Sequence, residues 1–147
     1  MTSHRLAAVL ATGAILATQS LSAAGPAPER PAGFQAGDYR AIHSRSEIPA
    51  PVLDLFSSLC GGCRLADFGG PFNATDVIQP DLPRRRLTAA GVSGDRWFLE
   101  YEHGGRGLHS HFALFELRSG NATCLWANGP PPTGCRPRAA VQGTCPW

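Results

Sequence analysis

The sequence predicts an α+β domain: one short amphipathic helix packed on a roughly four-stranded antiparallel meander, with a disulfide-tied, proline-rich carboxyl-terminal tail. Three observations carry this. An apolar stripe with helical spacing occurs at Val52, Leu55, Phe56 and Leu59. From Arg84 to Ala127, short apolar runs are broken by turn signals at Ser93-Gly94, Gly104-Gly105-Arg106-Gly107 and Ser119-Gly120-Asn121. The 17 Gly and 13 Pro in 147 residues are too many for a helical bundle and too few for a disordered chain. The length allows one ordinary domain and no second core.

The amino terminus reads as a secretory signal over residues 1–24. His4 and Arg5 give a positive start, Leu6 to Ala17 an apolar run, and Ser22-Ala23-Ala24 a small-x-small cleavage signature. The run is shorter than the roughly 20 residues that span a bilayer, so no membrane insertion is expected after cleavage. A secreted or periplasmic location follows, where disulfides persist. Residues 25–47 are expected to form a flexible leader, rich in Pro, Ala and Gly to Gly37 and carrying no chemistry, and 48–147 the globular domain.

The helix is expected from about Pro51 to Cys60, with proline in its first turn and Gly61-Gly62 stopping it. So short a helix needs a larger partner for its stripe. Leu65 to Pro83, with Gly69-Gly70-Pro71 and two further prolines, reads as a long packed loop with room for one short strand. Beyond Asn128, Pro130-Pro131-Pro132 prevents pairing as a central strand.

Five cysteines, Cys60, Cys63, Cys124, Cys135 and Cys145, leave the connectivity open. Cys60-Gly61-Gly62-Cys63 closes a helix, whereas thiol–disulfide catalysis places such a motif at a helix amino terminus, whose dipole stabilises the thiolate. A structural bridge, within the motif or to the tail, is the expectation, with tail closure among Cys124, Cys135 and Cys145.

The sharpest chemical signal lies in the central hairpin. A four-residue loop, Gly104–Gly107, would set Glu102 opposite His109 and Glu100 opposite His111. Trp97, Leu99, Tyr101, Phe112 and Leu114 would then face the helix, and the other face would gather two carboxylates and two imidazoles. His109 and His111 with Glu102 have the residue types of a facial zinc or iron site, leaving Glu100 as a base. The plainer reading is cross-strand pairing of Glu and His on a solvated face. His103 falls on the opposite face, and His43 has no partner by spacing.

Other signals exclude more than they suggest. The 13 basic and 11 acidic residues give a net charge of +2, which leaves no nucleic-acid footprint. Every basic residue is Arg, a bias suggesting a GC-rich bacterial genome. Arg84-Arg85-Arg86 could touch nucleic acid or a lipid headgroup but reads as a solvated strand start. Asn73-Ala74-Thr75 and Asn121-Ala122-Thr123 match the glycosylation sequon, which matters only in a eukaryotic secretory route. The glycine turn lies between two strands, so it is no phosphate cradle, and no Gly-x-Ser-x-Gly elbow occurs. The leading expectation is a non-enzymatic binding module for a protein or envelope ligand. The alternative is a metal protein built on His109, His111, Glu102 and Glu100, and a third is a stapled structural protein without a ligand.

Overall fold

A computed structural model describes residues 27–128. The expected secretion signal, and the tail with Cys135 and Cys145, lie outside those residues. The element order is β1 (Arg40–Ala41), α1 (Ala50–Leu59), β2 (Leu65–Ala66), β3 (Arg85–Ser93), β4 (Arg96–His103), β5 (His109–Arg118) and β6 (Asn121–Ala127).

The helix forms where its stripe predicts. Pro51 occupies the first turn, where a missing N–H costs nothing, and Val52, Phe56 and Leu59 are buried. Gly61 and Gly62 end it at φ of 72° and 85°, backbone that lacks a Cβ penalty only in glycine. The Gly62 N–H donates to the Ser57 carbonyl at 2.8 Å. A disulfide joins Cys60 to Cys63 across this end, so the bridge within the motif is the one formed.

The four expected strands form a consecutive antiparallel set, β3-β4-β5-β6, but the sheet has six strands rather than four. β1 pairs antiparallel to β3 at Val92 and Gly91, and β2 pairs parallel to β3 at Arg85 and Arg86. Two-residue strands are too short to show a period of two, which is why alternation cannot announce them. Bulges interrupt the ladder between Leu87 and Ala89 and between Leu114 and Phe115.

Both faces of the sheet are covered. On one, α1 packs over Leu87, Leu99, Tyr101, Ala113 and Phe115. On the other, Phe98, Phe112, Leu114 and Trp126 form a second cluster with Phe34 and Tyr39. The expected helix-facing set is therefore corrected: Leu99 and Tyr101 hold their places, whereas Phe112 and Leu114 point the other way and Ala113 and Phe115 replace them.

The stretch from Arg30 to Tyr39, expected within a flexible leader, is packed on that second face. The Phe34 ring lies 4.7 Å from Phe112 and 5.2 Å from both Tyr39 and Phe98, centroid to centroid. Two aromatic anchors in irregular backbone carry no periodicity, yet each aromatic contact contributes about 0.5–1.5 kcal/mol beyond burial. Gly91 makes the close approach possible: a Cβ there would stand 2.5 Å from the Phe98 ring and 2.9 Å from Tyr39 Cβ.

Candidate functional site

The geometry of the site is set by the β4–β5 register. His103 pairs with His109, Tyr101 with His111, Glu102 with Ser110 and Glu100 with Phe112. The connection runs over five residues, 104–108, rather than four. Gly104 remains in the β3 ladder, its N–H donating to the Arg84 carbonyl at 2.9 Å. A Cβ on Gly104 would collide with the backbone of Asn73 and Ala74. That packing fixes where the turn begins.

One residue of slip moves every side chain to the opposite face. Glu100 and Glu102 lie with Phe98 and Phe112, while His109 and His111 lie with Tyr101 and His103. The four expected metal-site residues are therefore divided by the sheet. Each carboxylate is also occupied: Arg30 Nη2 stands 2.6 Å from Glu100 Oε1, and Arg86 Nη2 2.7 Å from Glu102 Oε2. The Arg86 guanidinium covers the Phe72 ring at 4.3 Å. Among the described residues, no group of three His, Cys, Asp or Glu side chains is disposed to hold a metal ion.

What the structure does bring together is a cationic end of the helix-side face. Arg85 is the register partner of His103, and the His103 and His109 rings lie 6.0 and 6.5 Å from that of His111. His111 stacks on Tyr101 at 5.2 Å. Burial, followed by the charge of Arg85 and the neighbouring His111, Arg84 and His109, pushes the His103 imidazole down to about 4. Burial also lowers His111, although the Asn128 carbonyl 3.4 Å from its Nδ1 works the other way. The Tyr101 hydroxyl is driven well above its ordinary range by burial, opposed by the charge of Arg85 and by the hydrogen bond that Arg85 donates to it. The His103 imidazole is therefore neutral at pH 7, and the fixed charge at this end belongs to arginine.

Beside it opens a cavity of about 490 Å³. Arg64, Arg84 and Arg85 line it from one side, and Ile78, Pro80 and Leu82 from a loop on the other. Asn73, 4% exposed, holds that loop shut. Its Nδ2 donates to the Gln79 and Leu82 carbonyls at 2.9 and 2.8 Å, and its Oδ1 accepts from the Gln79 N–H at 2.8 Å. The Asn73 N–H reaches the Pro83 carbonyl at 2.8 Å, so residues 73–83 form a compact loop with adjacent ends. Arg64 Nη2 ties to the Pro80 carbonyl at 2.8 Å. Among the described residues, none that lines the cavity is a carboxylate; Asp76 and Asp81, on the same loop, are exposed and not among the lining. Arg85 Nε is buried without a hydrogen-bond partner among the described residues.

Sequence reasoning passed over these residues. The Arg84-Arg85-Arg86 run reads as solvated until the sheet's alternation separates it: Arg86 goes to Glu102, and Arg85 to the opposite face. Asn73, noticed only as a sequon, uses its amide nitrogen twice inside the fold. A second concavity, about 310 Å³, is walled by Phe34, Tyr39, Leu114 and Trp126, but those rings are largely the packing of the second cluster itself. Compared with protein-family models, curated proteins and solved structures, the chain finds no match in any of the three.

Proposed function

We propose that this protein is a non-enzymatic binding module of the secreted or periplasmic space, and that its ligand is an anion held in the arginine-lined cavity. The observation that carries this reading is a cavity of about 490 Å³ with Arg64, Arg84 and Arg85 in its walls and, among the described residues, no carboxylate. Guanidinium groups present paired, planar donors suited to carboxylate, phosphate or sulfate oxygens. Three such groups sharing one cavity repel one another, and an anion seated among them relieves that repulsion while supplying acceptors. Export is supported by the amino-terminal charge and hydropathy pattern. The metal reading on His109, His111, Glu102 and Glu100 lacks comparable support, because the sheet stands between its two halves.

Thermal unfolding in sodium sulfate, against sodium chloride at equal ionic strength, tests the proposal. A ligand at a hundred times its dissociation constant stabilises by about 2.7 kcal/mol. Saturable stabilisation by sulfate is expected, and its loss in an Arg64→Gln/Arg84→Gln variant, both exposed residues. Equal behaviour in the two salts, or an unaffected variant, overturns the assignment.

A further inference from the structure

The loop that walls the arginine cavity also carries the apolar surface. Val77 and Ile78 are, among the described residues, the only large hydrophobic side chains classed as exposed, at 71% and 45%. They are consecutive, at the tip of the 73–83 loop, and Ile78 is itself a wall of the cavity. Single exposed apolar residues are ordinary. A consecutive pair at the tip of a loop pinned by a buried asparagine, beside three guanidinium groups, has the arrangement of an interfacial anchor. Apolar side chains enter the acyl boundary while cations meet the phosphates above it.

We infer that this end of the molecule docks on an anionic phospholipid surface, with Val77 and Ile78 entering the interface and Arg64, Arg84 and Arg85 receiving one headgroup phosphate. The inference rests on the anion-binding reading and deepens it by naming the source of the anion. Asp76 and Asp81, exposed on the same loop, offset much of the local positive charge. Diffuse attraction to the membrane is correspondingly weak, so docking depends on a headgroup seated in the cavity together with the apolar tip. No penetration beyond the headgroup boundary is involved, since two side chains supply the apolar contact.

The test is co-sedimentation with vesicles of phosphatidylglycerol and phosphatidylcholine, against phosphatidylcholine alone, at 0.15 M salt. Binding to the mixed vesicles is expected, with roughly tenfold weaker partitioning for Val77→Ser, the cost of withdrawing one partly inserted valine. Val77 does not line the cavity, so Val77→Ser retains stabilisation by free sulfate. Sulfate stabilisation without vesicle binding overturns the lipid inference and leaves the anion reading standing. Equal binding to pure phosphatidylcholine removes the headgroup from the account, and equal binding by Val77→Ser removes the anchor. Failure with both sulfate and vesicles removes the anion reading as well.

Discussion

Replacing Asn73 by alanine probes the hinge between fold and function. The substitution deletes two donor contacts, to the Gln79 and Leu82 carbonyls, and one acceptor contact, from the Gln79 N–H. A neutral hydrogen bond contributes about 1 kcal/mol net, and an orphaned buried partner costs 1–3 kcal/mol. Three lost bonds give about 3 kcal/mol. The upper range is not reached, because the loop lies at the surface and can open to water, rehydrating its carbonyls. Opening breaks the Arg64 tie to Pro80 and disperses the cavity wall. At 4–8 °C per kcal/mol for a domain near this size, the melting temperature falls by roughly 15 °C. Thermal unfolding with hydrogen exchange at the Gln79 and Leu82 amides measures both parts: protection there should vanish while that of β4 and β5 falls only with global stability. A loss under about 1 kcal/mol with both loop amides still protected would refute the reasoning, since it would mean that the loop holds its shape without the asparagine.

Arg86→Ala is expected to cost about 2 kcal/mol in urea unfolding. It strands the Glu102 carboxylate, 8% exposed, though the pair's partial solvent contact keeps the loss below the 3–5 kcal/mol of a fully buried pair. Stability should also fall on acidification. The His103 imidazole titrates near 4 in the folded state against 6.5 ordinarily, so between those values the unfolded chain binds a proton that the folded one refuses. The slope should stay well below about 1.4 kcal/mol per pH unit because the ring is partly solvated. A His103→Asn variant should flatten it, and an unchanged slope would place the proton elsewhere.

What the sequence reveals follows from how local each signal is. The helix, with its stripe at Val52, Phe56 and Leu59, and the turns at Ser93-Gly94 and Ser119-Gly120-Asn121 depend on neighbours within a few residues, and both appear where expected. The register of the central hairpin depends on a residue 31 positions away: Asn73 and Ala74 crowd Gly104 and thereby lengthen the turn. No spacing rule within the hairpin contains that information. The same limit hides β1, the pairing of β2 (the short strand for which Leu65 to Pro83 left room) and the seating of Phe34, because each is a short contact whose partner is remote. Of the candidate site, residue types were legible and grouping was not. The Glu and His pairs are present but divided, and the grouping that forms brings Arg64 beside the consecutive Arg84 and Arg85, from another stretch of chain.

The slip also decides the charge of each face. In the four-residue register, imidazoles and carboxylates would neutralise one another on one surface, and the helix side would be mainly apolar, with His103 at the turn. In the observed register, Glu100 and Glu102 are matched with Arg30 and Arg86 on the aromatic face, while Arg85 stands with three imidazoles on the other. The His103 imidazole, pushed down by burial and by the charge of Arg85, does not serve as a cation at neutral pH, and an imidazole carries no negative charge to balance arginine. Among the described residues, no carboxylate lines the cavity beside Arg84 and Arg85. The proposed anion would meet these guanidinium groups there, in the space that the Asn73-pinned loop holds.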